Sequence, residues 1–586
     1  MTPRPTPQGV NSPTFHPAPF EHGLSIPGLY KYHAIHSPNH PVFTYSDPVD
    51  GSSHDIVYSE AWKDIGVVAN RVSDDYSNAD PLYARRGKDI GHRPVIGVLA
   101  VSDSIGYIYL ELAIMSLGFT AFPLSPRNSA AVTAHLLEKT GVVQLFVSGD
   151  LAMQTLAQDA VKILADKGLE VQLLPMVKYA DLKRNTDNDN VGDAKMVDIA
   201  DDHVTLILHS SGTTAFPKPI NITRRGLVNL SNIPCFGEVD LAGKRVAAHT
   251  NPIFHAMGLA TIIWPISSGA IFALYNPLLP VVIPTPANFL AHWVADQCNI
   301  VFCVPVFIEA WARDPSNLAT LKALDSIVFS GASVSRSTGD MLAREGVVMH
   351  PFWGSTEVGP ATMFVPRDAP PVDEWEYFKF SHHIEFVMQP QDNLAGIVEP
   401  IMIPTETCFP HVTNSELDGQ RVFAVGDLLE QHPSDPGRWK VFGRKDDQIM
   451  LSTGENVNPV PIEAALAQDK HIASAIMFGR DHIETGVLVE PAAGIAVPPG
   501  DSKKLDEFKD LIWPTVEQVN AKAPAYARIQ RNMIVVTSSA KPLEHTPKGT
   551  PRRPVCLKLY ASEIEAVYPS EEDASIAAHR QFPDRI

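Results

Sequence analysis

The stretch from Leu206 to Ile220, LILHSSGTTAFPKPI, joins an apolar run to a polar loop. The run ends at His209, and the loop that follows contains Ser210, Ser211, Gly212, Thr213, Thr214 and Lys218. Glycine lets the backbone approach a ligand, while hydroxyls, backbone N–H groups and a lysine bind oxyanions. The Walker spacing G-x-x-x-x-G-K-[ST] is absent. The stretch therefore predicts a β-strand that runs into an oxyanion-binding loop of a different kind.

Strands and helices alternate on the N-terminal side of this loop. The pattern predicts strands at Val95–Val101, Phe119–Pro123 and Val142–Val147, and helices at Gly106–Leu117 and Ala130–Lys139. Such alternation is typical of a parallel, doubly wound α/β sheet. Ligands of these sheets bind at the loops that follow the strands, so we expect the site on one sheet edge.

Length and charge limit the class of protein. A chain of 586 residues with 45% hydrophobic and 19% charged residues is globular and too long for a single core. Its formal net charge of −19 argues against a general binder of nucleic acid or of anionic membranes, because their phosphates would be repelled. ATP is not excluded, since its site needs only a few local cations.

Cysteine spacing and hydropathy indicate the compartment. The 5 cysteines show no C-x-x-C spacing, which favours free thiols in a reducing, cytoplasmic environment. The proline-rich start, MTPRPTPQGVNSPTFHPAP, lacks the apolar centre of a signal peptide and is predicted to be disordered. The apolar region Leu259–Ile283 is interrupted by prolines and a glycine, whereas a spanning helix needs about 20 apolar residues, so no membrane span is expected.

Further short motifs follow the opening loop. They are Trp353-Gly354-Ser355-Thr356-Glu357, Gly426-Asp427, FGRKDDQI at 442–449, Gly454-Glu455-Asn456 through Glu463, and TPKGT at 546–550. In this order they resemble the motifs of the adenylate-forming (ANL) superfamily of acyl-CoA synthetases, luciferases and peptide-synthetase adenylation domains. Ala215 and Pro219 replace glycines of the family pattern, and Trp353 replaces a tyrosine. The residues within these motifs are similar to those in adenylation domains of fungal peptide-synthetase-like enzymes, including carboxylic acid reductases.

The resemblance implies an α/β fold with two domains. A large N-terminal domain of stacked, mainly parallel sheets with flanking helices is followed by a small, mobile α+β domain. We expect a disordered proline-rich tail over 1–22, the adenylation core over 23–445, the mobile domain over 446–567 and a tail or linker over 568–586. Asp446 is the implied hinge between the adenylation and thiolation poses. Arg552 and Arg553 are expected to be surface charges, and a contact with an acidic carrier stays open as their alternative role.

The resemblance also implies how the phosphates of ATP are held. Charge builds on phosphate oxygens during activation of a carboxylate, so cations and Mg²⁺ supply most of the catalysis. The loop Ser210–Lys218 is implied to hold the β- and γ-phosphates, and Thr356 the α-phosphate. Glu357 is the implied ligand of Mg²⁺, an ion that prefers oxygen ligands. Lys548 is the implied catalytic lysine, which bridges the α-phosphate and the attacking carboxylate.

The nucleoside of ATP has its own implied contacts. Asp427 is expected to bind both ribose hydroxyls, and Arg444 to support the ribose. Adenine is expected to lie against Trp353, with Gly331 and Ala332 behind it.

The segment Ala256–Ile263, AMGLATII, bears on the substrate. Adenylation domains for α-amino acids usually carry an aspartate near this point, whereas this segment contains no acidic residue. An unpaired ammonium in an apolar pocket is costly, so a small carboxylic acid without an α-amino group is expected. The expected pocket residues are His255, Ala256, Met257, Val306, Phe307, Gly331 and Gly354. Aryl acids fit best, aliphatic and α-keto acids come next, and a structural role for His255 stays open.

Two kinds of acceptor remain open for the activated acid. The sequence contains neither a carrier G-x-D-S-L motif nor a dinucleotide G-x-G-x-x-G motif. We therefore expect transfer to the phosphopantetheine thiol of a carrier domain supplied in cis or in trans, which feeds a reductase. One alternative is a stand-alone acyl-CoA ligase. A different alternative is that the chain is a non-catalytic nucleotide-binding module. The argument against it is the presence of the implied site residues Thr356, Glu357, Asp427, Arg444 and Lys548.

Overall fold

The computed structural model of the chain describes residues 4–20, 23–47, 51–79, 93–184, 196–209, 217–391, 394, 396–452, 455–498, 500–546 and 549–568. The first part alternates helices and strands. In order, these are α1 (Ile26–His36), β1 (Pro41–Ser46), β2 (Ser53–Val57), α2 (Tyr58–Ala79), β3 (Val95–Leu99), α3 (Ser104–Ser116), β4 (Thr120–Pro123), α4 (Ala130–Thr140), β5 (Val142–Val147), α5 (Leu151–Ala165), β6 (Gln172–Pro175), α6 (Tyr179–Arg184), β7 (Val204–His209) and β8 (Pro219–Thr223). Strands β6-β5-β3-β4-β7-β8 form one sheet in this order, parallel except for the edge strand β8.

A second, mainly parallel sheet is completed by the segment that follows. Its elements are α7 (Arg224–Ser231), β9 (Arg245–Ala247), α8 (Ala256–Ile263), α9 (Pro265–Ser268), β10 (Ile271–Ala273), α10 (Pro286–Ala295), β11 (Ile300–Cys303), α11 (Pro305–Ala312), α12 (Leu318–Lys322), β12 (Ser326–Phe329), α13 (Arg336–Arg344) and β13 (Met349–Pro351). The strand order is β13-β12-β11-β9-β10-β1-β2, and only β2 runs antiparallel to its neighbour. Residues from both sheets share one hydrophobic core with the helices.

A third, antiparallel sheet ends the large domain. The hairpin strands β14 (Gly354–Ser355) and β15 (Gly359–Pro360) precede it, and its strands are β16 (Phe378–Lys379), β17 (Glu385–Pro390), β18 (Ile397–Ile403), β19 (Ser415–Leu417), β20 (Gln420–Ala424), β21 (Asp427–Gln431) and β22 (Arg438–Arg444). Their order is β16-β22-β21-β18-β20-β19, with β17 also paired to β18. In this sheet β21 begins at Asp427 of the Gly-Asp motif, and β22 ends at Arg444 of the Gly-Arg motif.

The C-terminal segment builds a separate small core. Its elements are β23 (Ile449–Met450), β24 (Asn456–Val457), α14 (Pro459–Leu466), β25 (Ile472–Phe478), β26 (Gly486–Pro491), α15 (Ser502–Lys522), β27 (Ile534–Val536), α16 (Arg553–Leu559) and α17 (Ala561–Glu565). Strands β25, β26 and β27 form a sheet against which Phe508, Ile512 and Val516 of α15 pack. The predicted α/β class, with a large domain of mainly parallel sheets and a small α+β domain, is confirmed.

The start of the chain differs from the prediction of a disordered tail over residues 1–22. Within the described residues 4–20, the Thr6 backbone N–H donates to the carbonyl oxygen of Cys235 at 2.6 Å. The Asp240 carboxylate accepts from the backbone N–H of Gly9 at 2.9 Å. Phe15 is buried, and its ring stacks on His33 with centroids 4.9 Å apart. The prediction is wrong for this segment because its partners lie far away in sequence.

The apolar region Leu259–Ile283 contributes α8, α9 and β10 rather than one long helix. Among the described residues no helix has the length and apolarity needed to cross a membrane. All five cysteines are described, and each has a free, buried thiol.

Candidate active site

The carboxyl ends of β11, β12 and β13 lie at one edge of the second sheet, because these strands are parallel neighbours. After β12, Gly331 and Ala332 lie on an exposed turn. Gly331 has a φ of 88°, a left-handed conformation that favours glycine. After β13 the chain reaches Trp353. The structure thus brings two predicted nucleotide-binding segments to the same sheet edge.

Thr356 and Glu357 lie at the tip of the β14–β15 hairpin, and both side chains are half-buried. The hairpin is tight, because a side chain at Gly354 would collide with the carbonyl oxygen of Gly359. The backbone N–H of His411 donates to the carbonyl oxygen of Glu357 at 2.7 Å. The hairpin and this hydrogen bond fix the position of a carboxylate that could ligate a cation.

Two buried polar atoms near this hairpin have no hydrogen-bond partner among the described residues. They are Oγ of Ser355 and Nε2 of His411. Burial lowers the pKa of His411 to about 4, so its imidazole is neutral near neutral pH. Leaving buried polar atoms unpaired is costly, and ligands or water commonly complete them. Together with the Glu357 oxygens, these atoms fit a site for a phosphate chain and its Mg²⁺.

Trp353 is buried and reaches Asp427 through its indole N–H. The indole Nε1 donates to Oδ2 of Asp427 at 2.7 Å. The ring stacks on Phe378 with centroids 5.9 Å apart and planes 7° apart. Phe380 and Phe386 also contact it, at ring-centroid distances of 5.9 Å each. A tryptophan at this position therefore supplies a donor that orients the aspartate.

Asp427 accepts a second hydrogen bond from Arg444. These residues lie opposite each other on β21 and β22, and Arg444 Nη1 donates to Oδ1 of Asp427 at 2.7 Å. Arg444 Nη1 also lies 3.3 Å from the carbonyl oxygen of Val425. A carboxylate has about four acceptor positions, so both oxygens keep capacity for further donors such as ribose hydroxyls. We call Trp353, Asp427 and Arg444 the carboxylate hub.

Glu399 adjoins the hub and was not predicted from sequence. Its Oε1 accepts from the backbone N–H of Gly426 at 3.2 Å, and its Oε2 accepts from Lys445 Nζ at 2.6 Å. An acidic residue within the apolar strand β18, IVEPIMI, is the signal that could have pointed to it.

The predicted substrate residues fall into different surroundings. His255 directly precedes α8, and its Nδ1 accepts from the backbone N–H of Met257 at 3.2 Å, which is an N-capping role. Met257 is buried and Ala256 half-buried. Val306 is exposed at the start of α11, whereas Phe307 is buried and packs on Phe289 and Trp311. Val306 and Phe307 therefore do not share one surface.

Asp446, the predicted hinge, has a mostly exposed side chain. Arg480 Nη2 donates to the carbonyl oxygens of Asp446 and Gln448 at 3.2 and 2.6 Å. Arg553, expected at the surface, is instead largely buried, with 14% of its side chain exposed. Its Nη2 contacts both oxygens of Glu463 at 2.7 and 2.5 Å, and its Nε lies 3.2 Å from the Asp447 carboxylate. The surface prediction for Arg553 is wrong because acidic partners distant in sequence surround it.

Some predicted site residues lie outside the described residues. They are Ser210, Ser211, Gly212, Thr213, Thr214 and Lys548. Lys218 is described and exposed, directly before β8. The roles predicted for this loop and for Lys548 stay predictions.

With this geometry in place, comparison with known proteins decides the family. Residues 85–380 match the AMP-binding enzyme family, and residues 446–572 match the AMP-binding enzyme C-terminal domain. The chain belongs to the AMP-binding enzyme family. The predicted membership of the adenylate-forming superfamily, and the predicted class of an AMP-forming carboxylate-activating enzyme, are confirmed.

Within this family, the chain is similar to fungal enzymes that are named as reductases. The chain is 38% identical over 574 residues to adenylate-forming reductase Nps10 of Heterobasidion annosum, an alignment that covers 97% of this chain and 51% of that protein. It is 25% identical over 573 residues to a carboxylic acid reductase of Neurospora crassa, covering 93% of this chain and 50% of that protein. The chain therefore spans about half the length of these curated relatives.

Solved structures agree on the fold. An anthranilate CoA ligase, AuaEII, in complex with anthranoyl-AMP has a TM-score of 0.67 and 16% identity to this chain, and the match covers 94% of this chain and 98% of that one. At this identity the likeness establishes the fold and no more.

Proposed function

We propose that the chain activates a carboxylic acid without an α-amino group, best an aryl acid, to an acyl-adenylate with release of pyrophosphate from ATP. The acyl group then passes to the phosphopantetheine thiol of a carrier domain and on to a reductase. The observation that carries the proposal is the carboxylate hub beside the Thr356–Glu357 hairpin. In it Asp427 is oriented by two donors at 2.7 Å while keeping acceptor capacity for ribose.

The roles of the other nucleotide-binding residues follow from this assignment. Thr356 would hold the α-phosphate, Glu357 would ligate Mg²⁺, and the Ser210–Lys218 loop would hold the β- and γ-phosphates. Mg²⁺ neutralises phosphate charge when it is bound. The unpartnered Oγ of Ser355 supports a bound phosphate at this hairpin, since it has a hydrogen bond to donate. Lys548 would hold the substrate carboxylate against the α-phosphate.

The character of α8 supports an acid without an ammonium group. From Met257 to Ile263 every residue of this helix is buried, and none of them is acidic. An ammonium placed here would lose its hydration without gaining a carboxylate partner. The names of the two relatives above, an adenylate-forming reductase and a carboxylic acid reductase, agree with an acid that is later reduced.

The domain boundary belongs to the proposal as well. The C-terminal match begins at residue 446, which supports Asp446 as the hinge and Lys445 as the last residue of the adenylation core. The exposed side chain of Asp446 leaves room for rotation of the backbone at this residue. The carrier would meet the chain after the small domain has turned. The free thiols agree with the predicted cytoplasmic location.

Acid-dependent exchange of pyrophosphate into ATP, measured over a panel of aryl, aliphatic, α-keto and α-amino acids, tests the proposal. We expect exchange with aryl acids and none with α-amino acids. Absence of exchange with every acid would favour a non-catalytic nucleotide-binding module. Lys548→Ala should lose exchange and keep ATP binding, and normal exchange by this variant would contradict the role of the lysine.

The acceptor needs a separate measurement. Acyl transfer to coenzyme A and to a holo-carrier protein, compared at equal thiol concentration, separates the two candidates. We expect the carrier to be the better acceptor. Faster transfer to coenzyme A would identify an acyl-CoA ligase instead.

A further inference from the structure

Glu399 is an acidic residue buried in the middle of an apolar strand. Its side chain is only 5% exposed, and its neighbours on β18 are Val398 and Pro400. A buried carboxylate is costly unless hydrogen bonds and a cation compensate it. The surroundings of Glu399 therefore have to supply both.

Its two partners also contact each other. Oε1 of Glu399 accepts from the backbone N–H of Gly426, and Oε2 accepts from Lys445 Nζ. The backbone N–H of Lys445 donates to the carbonyl oxygen of Gly426 at 2.8 Å. Three hydrogen bonds thus close a triangle, which we call the Glu399 clasp. Lys445 remains 50% exposed, so one corner of the triangle faces solvent.

The position of the clasp relates it to two functional parts. Gly426 directly precedes Asp427, and it adopts a left-handed turn with φ of 76°. Lys445 directly follows Arg444 and directly precedes residue 446, where the match to the C-terminal domain begins. The last two residues of the large domain are therefore tied to neighbouring points, Arg444 to Asp427 and Lys445 to Glu399.

We propose that Glu399 is a positioning residue whose clasp with Gly426 and Lys445 holds the nucleotide-binding turn in shape and fixes the last residue before the interdomain hinge. The inference rests on the proposed function, because it assigns roles to Asp427 and to a rotation at Asp446. In this role Glu399 binds neither nucleotide nor acid itself. It acts through the backbone of Gly426 and the side chain of Lys445.

The two halves of the clasp should be separable. Glu399→Gln keeps an acceptor for the Gly426 N–H but loses the charge that holds Lys445. Lys445→Met keeps the hydrogen bond between Glu399 and the Gly426 N–H. It removes the ion pair on the hinge side and leaves the Glu399 carboxylate without its cation. Lys445→Arg keeps a cation and serves as the conservative rescue. Lys440→Met is the matched control, because Lys440 lies on β22, the strand that ends directly before Lys445, and pairs with Glu430 at 3.2 Å, away from the turn.

Half-reactions provide the kinetic test. With Lys445→Met we expect acyl transfer to the thiol to slow about tenfold, the effect of one charged hydrogen bond, with pyrophosphate exchange within about twofold of wild type. Glu399→Gln should slow transfer equally and also raise the KM for ATP. Lys445→Arg and Lys440→Met should remain close to wild type. If Glu399→Gln and Lys445→Met slow pyrophosphate exchange and acyl transfer by the same factor and leave the KM values unchanged, the role of the clasp is merely structural and the proposal is overturned.

Hydrogen exchange gives a readout that does not depend on activity. The backbone N–H of Lys445 bonds to Gly426, and that of Asp447 bonds to the carbonyl oxygen of Arg444 at 3.2 Å. We expect these amides to exchange about tenfold faster in Glu399→Gln and Lys445→Met, and unchanged in Lys440→Met. If the wild-type protein activates no acid, the proposed function fails. Hydrogen exchange of the backbone amides still decides whether the clasp exists. Unchanged exchange in Lys445→Met would overturn the clasp even in an active enzyme.

Discussion

Replacement of Asp427 by asparagine tests the nucleotide half of the site, because it keeps the size of the side chain and removes its charge. One carboxylate oxygen accepts from Trp353 and the other from Arg444, each at 2.7 Å. An amide has a single acceptor oxygen, so one of these donors must face the NH₂ group of the asparagine. The remaining oxygen cannot serve the protein donors and the ribose hydroxyls at once.

The expected loss follows from the hydrogen bonds involved. A hydrogen bond to a charged group contributes about 1.5–3 kcal/mol. Loss of one or two of them to ribose, discounted because the Arg444 side chain is 42% exposed and screened by water, amounts to about 2–4 kcal/mol. This corresponds to a rise of roughly 30- to 1000-fold in the Kd for AMP and in the KM for ATP.

Calorimetric titration of AMP into the variant measures the loss directly. Glu430→Gln is the matched control, since Glu430 lies on the same strand β21 and pairs with Lys440 at 3.2 Å. A partly exposed pair contributes under about 1 kcal/mol, and this control should bind AMP like wild type. A folded Asp427→Asn variant that binds AMP within about threefold of wild type would refute the assignment of the hub to ribose.

Three further outcomes concern stability. Arg553→Ala leaves the Glu463 carboxylate buried without its cation and should cost about 3–5 kcal/mol in urea unfolding, against under about 1 kcal/mol for Arg552→Ala, and equal losses would contradict this view. Phe15→Ala removes a fully buried ring and should cost about 3–5 kcal/mol, so an unchanged thermal midpoint would show that the N-terminal segment adds no stability. Burial lowers the pKa of His383 to about 3, so the unfolded chain binds a proton below pH ~6.5 that the folded chain does not. Stability should therefore fall as the pH drops from about 6.5, by up to about 1.4 kcal/mol per pH unit, and unfolding of His383→Gln at several pH values should show a shallower slope.

The local sequence pattern predicts helices and strands that consist mostly of apolar residues. The strand predicted at Val142–Val147 has these bounds in the structure, and the helix predicted at Gly106–Leu117 is found at Ser104–Ser116. Both segments are apolar along nearly their whole length, so burial of their side chains and pairing of their backbone groups favour the same structure. Short motifs placed Trp353, Asp427 and Arg444 in one site because their order along the chain is that of the family.

Contacts between distant segments could not be predicted in the same way. The N-terminal segment looks polar and rich in proline, yet Phe15 packs on His33 and the backbone of Gly9 bonds to Asp240. Arg553 looks like any exposed arginine until Glu463 is brought beside it by folding. Each of these residues takes its environment from a partner that single-sequence patterns do not reveal.

The stretch Leu206–Ile220 supplies the end of β7 and the start of β8, which run antiparallel with His209 opposite Pro219. A Walker loop opens a helix whose N-terminus attracts phosphate, whereas this loop runs into an edge strand. Lys218 is exposed directly before β8. Pro219 replaces a glycine of the family pattern at the first residue of that edge strand, a position where sheets accept proline. We therefore expect the substitution to restrict the backbone at Pro219 without weakening the sheet.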